Sequence, residues 1–139
     1  MERPKLLIIA GPNGAGKTTV TGNILKHEWV EGCEYINPEN YFIRLFFIGT
    51  DNPQINASRV AQRVMQGGHD VPIHKIISRY YKSIANCSLL SKVVDRLYVY
   101  DNSIENGLPE LLFRSNDGKF VKQYEPIHEW AKLIYENIV

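Results

Sequence analysis

The chain has little of what marks a secreted, metal-clustered or membrane-spanning protein. Its only cysteines, Cys33 and Cys87, form neither a metal-ligand spacing nor a disulfide framework, so a reducing compartment and two packed thiols are expected. No apolar run approaches the length needed to cross a bilayer, and the N-terminus has no basic and apolar leader. A cytoplasmic protein with no membrane partner is the expectation. Net charge is scarce too. Sixteen Lys and Arg against fifteen Asp and Glu leave +1, which excludes a field of the histone-like, acidic-tail or membrane-coating kind. Repeats, low-complexity tracts and linkers are missing, so residues 1–139 are expected to form one domain.

What is present alternates between strand and helix periods. Residues 5–10 are a near-continuous apolar run, as in a strand buried on both faces of a parallel sheet. A Gly-rich turn follows, and the pattern becomes helical over 17–27, with Val20, Ile24 and Leu25 at helix spacing. Residues 34–37 read as a second strand and 41–50 as a third, carrying Ile43, Leu45, Phe46, Phe47 and Ile48. Only Pro38, Glu39 and Asn40 separate these two. Parallel neighbours need a crossover of a dozen or more residues. The chain therefore reads as shortened near residue 40.

Asn52-Pro53 opens a helix that Gly67-Gly68 closes, with Ala57, Val60, Ala61, Val64 and Met65 on one face and Arg59 and Arg63 on another. Pro72 starts a second, with Ile73, Ile76, Ile77, Tyr80 and Ile84 apolar and Lys75, Arg79 and Lys82 as a basic ridge. A strand over 97–100 ends at Asp101, and 111–114 with 119–123 form a hairpin through Asn116-Asp117-Gly118. Residues 126–138 close the chain as an amphipathic helix presenting Ile127, Trp130, Ala131, Ile134 and Ile138.

The strongest chemical signal is Gly11-Pro12-Asn13-Gly14-Ala15-Gly16-Lys17-Thr18, which fits G-x-x-x-x-G-K-[ST] between a strand and a helix. Glycines let backbone N–H groups wrap an anion, and the following helix presents its positive end to it. Lys17 would supply charge to the terminal phosphates, and the Thr18 hydroxyl would bind Mg²⁺. The glycine spacing excludes a dinucleotide fingerprint. A second signal is electrostatic. Residues 55–82 carry Arg59, Arg63, Lys75, Arg79 and Lys82 against the single acid Asp70. Such a hairpin can clamp phosphates as an arginine finger in cis does, and a solvated basic face would give the same composition. A nucleic-acid surface is a third reading, and the lack of any recognition motif weighs against it.

These blocks, with Gly67-Gly68-His69-Asp70-Val71-Pro72, Arg79-Tyr80 and Tyr100-Asp101-Asn102-Ser103, resemble the zeta-toxin-like P-loop proteins, also described as predicted ABC-type ATPases. The resemblance covers the first forty residues and nearly everything from Tyr41 onward. It implies a nucleoside-kinase-like P-loop NTPase: an α/β three-layer sandwich with a mostly parallel sheet, a basic helical lid, and a C-terminal β-hairpin and helix. It also implies transfer of the γ-phosphoryl group of ATP, with Mg²⁺, to a small hydroxyl acceptor such as a UDP-amino sugar, and an antitoxin partner at the ATP site. On this basis Gly11 to Thr19 and Asn102 would bind the nucleotide, Lys17, Arg59, Arg63 and Arg79 would serve transfer, and Glu39 would be the general base. An alternative role for Asp101 is a magnesium site at a strand end. Met65-Gln66-Gly67-Gly68-His69 lacks the serine of an ABC signature loop, and Gly67-Gly68 reads as a helix stop.

Relatives carry further βα units, including a Glu-Thr-Thr strand, where this chain is short. The shortening leaves a second reading open: a non-catalytic nucleotide-binding remnant that docks an antitoxin or a second copy by strand addition.

Overall fold

The computed structural model describes residues 3–17 and 41–139. Over these the chain is an α/β protein built on a five-stranded mixed sheet, in spatial order β1 (Lys5–Ala10), β2 (Phe42–Gly49), β3 (Arg96–Asp101), β4 (Glu110–Asn116) and β5 (Lys119–Gln123). The first three strands are parallel and the last two antiparallel. The sheet is thus mixed, where a mostly parallel one was expected. The 102–109 connection is too short for a crossover, so β4 must return antiparallel to β3, and the hairpin extends the same sheet. The expected strand at 41–50 lies directly beside β1. The chain between them, 11–41, is long enough for the crossover that a parallel pair needs. The expected helix at 17–27 and strand at 34–37 lie outside the described residues.

Helix α1 (Pro53–Met65) is capped by the Asn52 side chain on the Ile55 N–H, with proline at its first position. It ends at Gly67, whose φ of +90° suits a C-cap glycine. Its buried line is Pro53, Asn56 and Val60, not the wider apolar face expected. Met65 is 89% exposed, in a last turn that is exposed from residue 61 onward. Helix α2 (Ile73–Leu90) buries Ile76, Tyr80, Ile84 and Cys87 and leaves Ile73 and Ile77 outside. Burial pushes the Cys87 thiol up to about 12, an inert packed thiol as expected. The C-terminal helix is shorter than 126–138. A 3₁₀ turn, Glu129–Ala131, precedes α3 (Lys132–Ile138), and His128 is extended, with its side chain tied to Asp51.

Strand alternation sorts the core onto two faces. Leu45, Phe47, Leu97 and Val99 pack with Tyr80, Ile84 and Cys87 of α2, with Trp130, and with Ile134 and Ile138 of α3. Phe46, Ile48 and Tyr98 face the other way, with Leu7, Ile9 and Ala15 against them. Phe46 and Tyr98 stack with ring centroids 4.6 Å apart. The second face brings the loop after β1 over the C-terminal ends of β2 and β3. Ligands of open α/β sheets bind in that region.

Phe113 is fully buried in the larger core. Phe113→Ala should lower the unfolding free energy by about 3–5 kcal/mol, measured as a shift of the denaturant midpoint at unchanged m-value.

Candidate functional site

The loop 11–17 is shaped by the groups that hold its carbonyl oxygens. Asn56 Nδ2 donates to the Asn13 carbonyl at 2.9 Å, Arg59 Nη1 to that of Gly14 at 3.1 Å, and Asn102 Nδ2 to that of Ala15 at 3.1 Å. All peptide bonds here are trans. Each N–H therefore points opposite to the carbonyl of its own peptide plane, so the N–H groups of Gly14, Ala15 and Gly16 turn away from these partners. The Ala15 N–H closes a turn on the Pro12 carbonyl at 3.1 Å. Gly14 and Gly16, with φ of +79° and +90°, have a conformation that other residues rarely adopt. A Cβ on Gly14 would stand 2.6 Å from the Asn56 carbonyl oxygen, and one on Gly16 would strike the Asn102 amide.

Two further bonds complete the grip. Arg59 Nη2 donates to the Asn102 carbonyl at 2.6 Å, and Arg79 Nη1 reaches Asn13 Oδ1 at 3.3 Å. Asn56 is itself buried and accepts the Thr50 hydroxyl. Lys17 Nζ donates to the Gly11 carbonyl at 2.7 Å. Burial, and then the Arg63 guanidinium, lowers the Lys17 pKa. An opposite charge placed beside Lys17 would counter both effects.

A cavity of about 510 Å³ opens over the loop, lined by Asn13, Gly14, Gly16, Lys17, Arg59, Gln62, Arg63, Gln66 and Glu105. A neighbouring cavity of about 330 Å³ shares Gly16, Arg59 and Glu105 and extends along Asn102, Ile104, Asn106 and Gly107. Another, also about 330 Å³, touches Gly11 and Lys17 and is mainly apolar, with Ile8, Ala10, Leu45, Phe47, Cys87 and Leu90 in its wall. Lys17 therefore stands between a basic cavity and an apolar one.

Of the residues singled out from sequence, the structure brings Gly11 to Lys17, Arg59, Arg63, Arg79 and Asn102 to one place. Asn102 spends its side-chain N–H on the loop. Thr18, Thr19 and Glu39 lie outside the described residues. The Asp101 carboxylate bonds to Trp130 Nε1, to Ser103 and to His128, and it is Asn102 beside it that reaches the loop. Ligating atoms of Asp51, Asp101 and His128 fall within 4.8 Å of one another, already joined as a hydrogen-bonded ion cluster. Sequence reasoning did not pick out Asn56 or this cluster. For Asn56 a signal existed: an amide on the buried line of a helix must find a partner. No family model, curated protein or solved structure matches the chain.

Asn56→Ala leaves the Asn13 carbonyl without its side-chain donor. It should cost about 1–3 kcal/mol of stability, read from urea unfolding.

Proposed function

We propose that the chain is a P-loop protein that binds a nucleoside triphosphate, ATP on the resemblance, and transfers its γ-phosphoryl group to a small hydroxyl acceptor. The single observation that carries this reading is the loop whose carbonyls are held outward by Asn56, Arg59 and Asn102 beside Lys17. The chemistry needs backbone N–H groups and fixed cations around the phosphates. Lys17 would meet the terminal phosphates, and Arg59 and Arg63, which line the same cavity, would offset charge developing on the transferred group. Arg79 would act through its bond to Asn13.

The resemblance implies magnesium, which would arrive on the phosphates of the nucleotide, because Lys17, Arg59 and Arg63 in the cavity wall are cations and Glu105 is the carboxylate among the described lining residues. Thr18 would be its protein ligand, and when bound it neutralises charge on the β- and γ-phosphates. In the transfer, the bond from the γ-phosphorus to the bridging oxygen breaks, a bond to the acceptor oxygen forms, and Glu39 would take the acceptor's proton. A UDP-amino sugar is the acceptor the resemblance implies.

One observation favours the non-catalytic reading. Among the described residues β1 pairs with β2 alone, and Ile8 is 36% exposed on it. Such an edge suits a second copy or an antitoxin-like partner. Enzyme and binding module then differ in phosphoryl transfer, not in nucleotide affinity.

Mg·ATP or Mg·GTP at a hundredfold excess over Kd should stabilise the fold by about 2.7 kcal/mol, seen as a rise in melting temperature, and Lys17→Ala should abolish the rise. An unshifted wild type would refute nucleotide binding. Labelled γ-phosphate appearing on a UDP-amino sugar would establish the enzyme. Equal affinity without transfer, together with a dimer in sedimentation, would establish the module.

A further inference from the structure

The two faces of the sheet differ in charge. Leu45, Phe47, Leu97 and Val99 put one face into the core under α2 and α3. The opposite face carries Phe46 and Tyr98, and strand alternation puts Arg44 and Arg96, two residues before them, on that face as well. In register Arg44 stands opposite Arg96, Tyr98 opposite Arg114, Arg114 opposite Lys122, and Asn116 opposite Lys119. The basic side chains therefore run across four strands. No Asp or Glu stands on the described strand positions of this face, and the strand acids Asp101 and Glu110 pair with one another on the other. Asp117 in the hairpin turn, 3.6 Å from Arg96 and 72% exposed, offsets part of the charge, and Asp95 is held by Arg3 and the Ile43 N–H.

Like charges directly opposite each other destabilise a sheet. This one bears two such pairs, Arg44 with Arg96 and Arg114 with Lys122. Aromatic rings hold the cations in place. The Arg96 guanidinium lies 4.9 Å from the Phe42 ring centroid, Lys122 Nζ lies 4.8 Å from that of Tyr124, and Arg114 Nε donates to the Tyr124 hydroxyl at 2.9 Å. Tyr124 is 41% exposed, Lys119 and Lys122 are exposed, and Arg96, Arg114 and Tyr100 are half-buried.

A face that gathers like charges without carboxylates among them is complementary to a polyanion. From Arg96 on β3 to Lys122 on β5 it crosses two strand spacings, about 10 Å, which is wider than one phosphate. The rings set among the cations distinguish between polyanions. Single-stranded nucleic acid has both a phosphate chain for the cations and unstacked bases for the rings, whereas a lipid headgroup or an acidic peptide has no use for a stacking platform. This surface is separate from the basic ridge of Lys75, Arg79 and Lys82 on α2. Four strands assemble it, so no linear motif announces it.

We propose that this sheet face binds single-stranded nucleic acid, with Arg96, Arg114, Lys119 and Lys122 on the phosphates and Tyr124 stacking on a base. Arg96 and Lys119 lie toward the end of the sheet away from the loop 11–17, so the surface does not depend on nucleotide binding there.

Fluorescence anisotropy across a salt series tests this, with a labelled mixed-sequence RNA of about ten nucleotides, within the usual site size of a single-strand platform, and the matching DNA. Wild type should bind both single strands and should hold duplex DNA and phosphatidylserine vesicles more weakly. Arg114→Gln with Lys122→Gln should flatten the slope of log Kd against log salt by about 1.4, from two contacts at about 0.7 each. Tyr124→Leu should keep the slope and weaken binding about fivefold or more, the low end for one stacked base. Lys75→Gln with Lys82→Gln should bind as wild type does. Circular dichroism and the urea midpoint check that each variant folds. Where one does not, photo-cross-linking of a thiouridine-containing RNA to the wild type decides, with the adduct expected within residues 96–124. Excess Mg·ATP should leave the oligonucleotide bound. Failure to bind either single strand, a stronger hold on duplex or vesicles, loss of binding in the Lys75 and Lys82 variant alone, displacement by Mg·ATP, or an adduct outside 96–124 overturns the proposal.

Discussion

The structure depends on where three peptide carbonyls point. A Gly-rich loop left to itself has many conformations, and its oxygens compete with any anion for the inner side. Here Asn56, Arg59 and Asn102 take the oxygens of Asn13, Gly14 and Ala15 from outside. The three donors come from two places distant in sequence, Asn56 and Arg59 on α1 and Asn102 just after β3. The loop is therefore held in shape by the docking of α1 and β3, and its preorganisation is a property of the whole sheet end.

That docking has its own supports. Thr50 bonds Asn56, Tyr80 bonds the Thr50 carbonyl at 2.6 Å, and Asn52 caps the helix that carries Asn56 and Arg59. Beneath them the core formed by β2, β3, α2 and α3 is apolar and closely packed. Above them Asp51, Asp101 and His128 join chain segments that the core alone would leave independent. Positive charge gathers at the loop, where burial and then the Arg63 guanidinium lower the Lys17 pKa.

Much of this was legible in the residues. The strand at the first apolar run, the loop, the Asn52 cap, the two helices and the terminal hairpin each announce themselves through a short-range rule: alternation, glycine at positive φ, a capping amide, a turn sequence. Lys17, Arg59, Arg63, Arg79 and Asn102 were selected by motif, charge and resemblance, and they do converge. What failed to be legible is non-local. Met65 and Ile77 fit a helix period yet face outward, because periodicity says which residues share a face but not how far a helix overlaps the sheet.

By itself the sequence determined element type and the position of the glycine-rich loop after β1, because both follow from interactions within a few residues. Tertiary structure alone decided that a buried asparagine on α1 holds the loop, and that His128 sits between two carboxylates. Those contacts join residues dozens of positions apart. Their cause is the packing of one element on another, and no local pattern in the chain records it.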